Sequence, residues 1–127
     1  MKQILSILLL FIAFTVVGQG KVESLIKFDK ETYAFGKVNQ NTPATVEFTF
    51  TNTGKAPIIV ESATAECGCT TPEYPKTPVM AGKKGKIKVT YDAKTMGSFT
   101  KRVTVKLVNV PDSKVLTING EVVAAKS

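Results

Sequence analysis

The stretch Thr45-Val46-Glu47-Phe48-Thr49-Phe50-Thr51 decides the fold class. Val46, Phe48 and Phe50 alternate with threonines and a glutamate, the period of a strand with one face buried. Outward from this stretch the pattern recurs. Ile87, Val89 and Tyr91 alternate with Lys86, Lys88 and Thr90. Val103, Val105 and Leu107 alternate with Arg102, Thr104 and Lys106, and Leu116, Ile118, Gly120 and Val122 with Thr117, Asn119 and Glu121. Upstream, residues 25–28 and 32–38 read as strands, Gly36 marking a bulge or bend, and residues 58–64 as another behind Pro57. Asn52-Thr53-Gly54-Lys55 and Ala81-Gly82-Lys83-Lys84-Gly85 are turns by composition. Nothing after Gly18 keeps a helical apolar period. About seven strands in roughly 100 residues predict an all-β, immunoglobulin-like antiparallel β-sandwich. Its expected core is Phe28, Phe35, Val46, Phe48, Phe50, Ile58, Val60, Ile87, Val89, Tyr91, Val103, Val105, Leu107, Leu116 and Ile118.

The N-terminus has a different texture. Met1-Lys2 is charged, residues 4–17 form an apolar run of 14 residues interrupted by Ser6 and Thr15, and Val16-Val17-Gly18 ends it. That is the layout of a cleaved signal peptide, with Gln19 as the mature start. The run is shorter than the roughly 20 residues that span a bilayer, and no cysteine at its exit invites a lipid. Residues 1–18 are therefore read as signal peptide, 19–24 as a short lead, 25–123 as one sandwich domain and 124–127 as a tail. The expected location is periplasmic or secreted, with no transmembrane segment after cleavage.

Removing 18 of the 127 residues leaves 109, enough for one modest core. Losing Lys2 takes the 17 basic residues to 16 against 10 acidic ones, and the net charge from +7 to +6. Outside the cytoplasm such a charge meets another envelope protein or an acidic surface polymer, not nucleic acid. A monomer is expected. The lysines at 83, 84, 86, 88, 101 and 106, with Arg102, read as a solvated sheet face that also guards an edge. There is no histidine, which excludes Ser-His-Asp and Cys-His catalysis and removes the commonest metal ligand. Glu61, Glu66 and Glu73 show no working carboxylate pair, so the chain is read as no enzyme and no cofactor is expected.

Both cysteines lie in Cys67-Gly68-Cys69. In a flat strand their Cα atoms would stand about 6.6 Å apart, at the upper end of what a disulfide accepts. Gly68 can bend the backbone to close the rest. The pair can be a strained disulfide, a two-thiolate clamp for Cu(I) with Met80 or Met96, or two small buried side chains. An oxidising compartment favours the disulfide. It would enclose only three residues and restrict the unfolded chain little, which leaves thiol–disulfide exchange as an alternative role. Structural zinc wants four ligands, more than one chain supplies here. The favoured role is a non-enzymatic binding module that displays the cysteine bend and the prolines at 72, 75 and 78, with Gly68, Thr70 and Tyr74 as candidate surface.

Phe35-Gly36-Lys37-Val38, Asn52-Thr53-Gly54, Cys67-Gly68-Cys69-Thr70 with Pro72-Glu73-Tyr74-Pro75, Asp92, Gly97-Ser98-Phe99 and residues 116–122 follow one another in an order that resembles the bacterial domain of unknown function 1573 family. The resemblance covers nearly the whole mature chain, and Cys-Gly-Cys-Thr is its most specific element. It implies a small exported sandwich, similar to sperm-protein-like and pilus-chaperone-like immunoglobulin folds, and brings no biochemical activity with it. Met80-Ala81-Gly82 departs from the pattern, where a proline is expected before the glycine.

Overall fold

A computed structural model describes residues 21–125, so the signal-peptide reading of residues 1–18 and the expected start at Gln19 lie outside the described residues. A short helix, α1 (Lys21–Leu25), leads into eight strands: β1 (Ile26–Phe28), β2 (Thr32–Asn39), β3 (Ala44–Asn52), β4 (Val60–Ala65), β5 (Thr70–Glu73), β6 (Lys84–Tyr91), β7 (Gly97–Leu107) and β8 (Ser113–Val123). They form two four-stranded sheets, ordered β1-β3-β6-β5 and β2-β8-β7-β4. The fold is the expected all-β, immunoglobulin-like sandwich.

Alternation puts one side of each strand into the space between the sheets. Phe48, Phe50, Ile87 and Val89 from the first sheet are 0% exposed, and Val103, Val105, Leu107, Leu116 and Ile118 from the second are 1% exposed. The outward side of β6 carries the lysines. Lys86 reaches Glu47 at 3.3 Å and Lys88 reaches Glu73 at 3.7 Å, with every partner about half exposed. Such pairs contribute about 0–1 kcal/mol each, so this is a solvated face.

The structure corrects the strand reading in several places. The sandwich is not wholly antiparallel, because β2 runs parallel to β8, Thr32 opposite Thr117 through Asn39 opposite Val123. Its register shifts between Ala34 and Lys37, where Gly36 takes a φ of +71° that a side chain would resist. This offset brings Phe35 to a half-buried position instead of the core. The expected strand at 25–28 is shorter, since α1 occupies its start, and Val22 of that helix is buried, so the packed unit begins before residue 25. Residues 58–59 precede β4, with Ile58 joined only to Val79 in an isolated bridge.

The turn after β3 rests on Asn52, which is 1% exposed. Its Nδ2 donates to the carbonyls of Ala56 and Val79, each at 2.9 Å, and its Oδ1 accepts the Gly54 N–H at 3.0 Å. A buried amide satisfied on both sides explains why this turn carries asparagine. At the helical end, Lys114 of β8 is buried between Glu23 of α1 and Glu31. Burial alone would lower its pKa, but hydrogen bonds and charge from the two carboxylates outweigh it and the net shift is upward.

Candidate functional site

β4 and β5 are edge strands of opposite sheets, and the cysteine bend is the passage between them. Ala65 ends β4 opposite Val103. Glu66 holds on for one more step: its N–H donates to the Arg102 carbonyl at 3.4 Å, and its Oε1 accepts the Arg102 N–H at 3.0 Å. The chain then leaves the second sheet and crosses to the first, where Thr70 pairs with Tyr91. The Thr70 N–H donates to the Cys67 carbonyl at 3.4 Å and the Asp92 N–H to the Cys69 carbonyl at 2.9 Å, so both ends of the bend are anchored.

Of the three readings left open for the cysteines, the structure has the disulfide, Cys67 bonded to Cys69. Their Cα atoms are 5.3 Å apart, closer than the about 6.6 Å of a flat strand, and the turn accounts for the difference. Gly68 at its tip is exposed with nothing within 4 Å of where a Cβ would stand. Cys67 and Cys69 are half-buried, Cys69 against the core. In this bonded form neither sulfur is a thiolate, the species that binds a metal. Met80 and Met96 are both about half exposed. Met80 lies at the Lys84 end of β6, a strand length of roughly 20 Å from the cysteines.

The other two candidate surface residues face differently. Thr70 is 3% exposed, because its register with Tyr91 turns it inward, so its side chain is not presented to an outside partner. Its Oγ lies 3.8 Å from the Cys67 Sγ and 3.6 Å from the Cys69 Sγ. Tyr74 is half-buried against the core, donates its hydroxyl to the Glu61 carbonyl at 3.3 Å, and lies under the Lys76 ammonium, 3.5 Å from the ring centroid. Tyr74 thus ties the proline crossover to β4. That crossover is more regular than expected: Thr70–Glu73 form strand β5 on the edge of the sheet, where Pro72 sits opposite Val89 and a missing N–H is tolerated.

Two further residues stand near the bend, the expected core residue Tyr91 and Lys101. Tyr91 stacks on Phe99 at 3.9 Å between ring centroids, and its pKa is raised by burial first and by Asp92 second. Lys101 differs from the outward lysines with which its charge groups it. It stands on the inward parity of β7, between buried Phe99 and Val103, and is half-buried. The alternation of Val103, Val105 and Leu107 already carried that signal. Among the described residues, no group of three or more His, Cys, Asp or Glu side chains is arranged to hold a metal, and no helix is long and apolar enough to cross a membrane.

Two facing sheets of four strands each define an immunoglobulin-like β-sandwich. Solved structures show the same architecture at low identity. A PapD-like domain of human CEP192 superposes with a TM-score of 0.68 at 8% identity, over 81% of this chain and 88% of that one. A protein of unknown function from Porphyromonas gingivalis W83 gives 0.66 at 13%, over 76% of this chain and 46% of that one. The YadV chaperone gives 0.57 at 17%, over 81% and 54%. No curated protein matches the chain by sequence. The family model described as protein of unknown function, DUF1573, matches residues 26–122, and the chain belongs to that family.

Proposed function

We propose that this protein is an exported, non-enzymatic interaction module of the cell envelope, and that its recognition surface is the side of the sandwich where the cysteine bend joins β4 to β5. The observation that carries this reading is the placement of the bend. It stands between two sheet edges, and edge strands are where a folded sandwich can still pair with another chain. The disulfide and the two backbone bonds at its ends make the tip a fixed shape, which lowers the ordering cost of binding. Export is supported by the charged start, the apolar run and the small-residue exit of residues 1–18, and by a disulfide that persists in an oxidising compartment. The partner is another envelope protein or an acidic surface polymer.

A photo-crosslinking side chain at Gly68 tests the surface, since that position is open. A discrete product from position 68, absent with the same group at exposed Lys55 in the turn beyond the opposite end of β3 and competed by the purified domain, is the expected result. Equal labelling from both positions, or none at 68, refutes the assignment. Intact mass of envelope-derived protein checks export: the mature chain starts at Gln19, and a mass retaining Met1 to Gly18 overturns it.

A further inference from the structure

A buried hydroxyl ordinarily finds a carbonyl or an amide. Thr70 does not: among the described residues, its Oγ has the two sulfurs as its hydrogen-bond partners, at 3.8 Å and 3.6 Å. A disulfide sulfur is a weak acceptor, whereas a thiolate is an anion that accepts strongly. The hydroxyl therefore stands where its bond strengthens most if the disulfide opens. Lys101 adds a charge. Ala65 pairs with Val103 and the Glu66 N–H reaches the Arg102 carbonyl, so Lys101, the next residue of β7 and on its inward parity, stands at the point where the chain leaves the sheet for Cys67. Among the described residues, no carboxylate pairs with its ammonium. Both cysteines are half-buried, so the bend is not sealed inside the core.

We propose that Cys67–Cys69 is an exchange-competent disulfide that accepts two electrons from a dithiol, with Thr70 and Lys101 stabilising the thiolate that leaves. One thiolate of the dithiol attacks one sulfur; the S–S bond breaks and its electron pair stays on the other sulfur. The Thr70 O–H donates to that sulfur whichever of the two it is. The second thiol of the dithiol, after losing its proton, attacks the mixed disulfide and releases the remaining cysteine. The dithiol becomes a disulfide, and the pair gains two electrons and, on protonation, two protons. A low leaving-group pKa speeds this exchange. The other charges near the bend are Glu66, whose carboxylate is held by the Arg102 N–H, Asp92, whose Oδ1 accepts the Lys94 N–H, and the outward Arg102. The proposal goes beyond an interaction role and does not depend on it.

The test uses the folded mature protein with dithiothreitol as the dithiol. Reduction rate, re-oxidation, and the pH dependence of thiol alkylation are measured alongside urea stability. Wild type should be reduced reversibly while folded, with at least one thiol titrating below the ordinary value of about 8.5. Thr70→Val should slow reduction on the order of tenfold and raise that thiol pKa. Thr70→Ser, which keeps the hydroxyl, should restore both. Lys101→Met should raise the thiol pKa without changing urea stability by more than the Ser variant does. Unchanged rate and pKa in Thr70→Val, or reduction of wild type only after unfolding, overturns the proposal. If Thr70→Val does not fold, Lys101→Met decides: an unaltered rate and pKa there overturns it too.

Discussion

Gly85→Ala is the most informative single perturbation of the core. Gly85 lies on the inward parity of β6, in register with Phe50 of β3. A Cβ there would stand 2.4 Å from Cζ of the Phe50 ring and 2.9 and 3.0 Å from Cε1 and Cε2. Carbon atoms rest at about 3.5–4.0 Å, so the ring must retreat by about 1 Å. It has nowhere to go: Phe50 is 0% exposed and packs against Phe28 with ring centroids 5.4 Å apart. Overpacking of this kind costs about 1–3 kcal/mol. Alanine recovers about 0.5–1 kcal/mol of glycine's backbone entropy, and Gly85 has no positive φ to forbid it. The net expectation is a loss of about 1 kcal/mol, read as a lower urea midpoint by circular dichroism with the slope unchanged. Phe50→Leu removes the clashing ring edge, so the double variant should be more stable than the sum of the singles by at least about 1 kcal/mol. A Gly85→Ala protein as stable as the parent, or strict additivity, refutes the reasoning.

Phe48→Ala should cost about 3–5 kcal/mol, since Phe48 is 0% exposed, while Thr49→Ala on the outer face should change stability by less than about 0.5 kcal/mol; equal urea midpoints would contradict the register. Lys114→Met should cost about 1–2 kcal/mol, less than a fully buried pair because Glu23 and Glu31 are half in water. Because the Lys114 pKa is raised in the folded state, its stabilisation is complete below its unfolded value of 10.5 and is lost as pH rises through the higher folded one. Alkaline unfolding scans should show that extra loss in the parent and not in Lys114→Met. Replacing both Cys67 and Cys69 by serine should leave the β-sheet circular dichroism intact and lower stability only modestly, since the bond encloses three residues and the core lies elsewhere; collapse of the double variant would show the pair to be structural.

Strands whose apolar residues alternate were legible in the sequence, because burial on one face writes a period of two into it. β3, β6, β7 and β8 are of this kind, and even the inward turn of Lys101 follows from the parity of Val103. What alternation does not encode is which strand lies beside which. The parallel pairing of β2 with β8 depends on a partner far along the chain, and Gly36 signals a bend without naming that partner. β5 was hidden by its prolines, since an edge strand needs a ladder on one side only. α1 is too short to show a period, and only its packing reveals it, through Val22 and the Lys114 contact. The cysteines were legible as a pair able to bond. The buried hydroxyl of Thr70 against them was not, because it depends on the register with Tyr91.

The parallel ladder also sets an order of events in time. Thr32 finds its place opposite Thr117, 85 positions later, whereas β7 and β8 meet across a short connection. Non-local contacts of this span are slow to form, because the closure entropy of the intervening chain comes before any reward. A chain that emerges N-terminus first therefore carries β2 through nearly its whole length with no strand to receive it. During that interval β2 is a free template, open to a strand of a neighbouring copy. Substitutions that weaken only the β2–β8 ladder should then act chiefly on the unfolding rate, since a contact formed late is absent from the barrier that folding must cross.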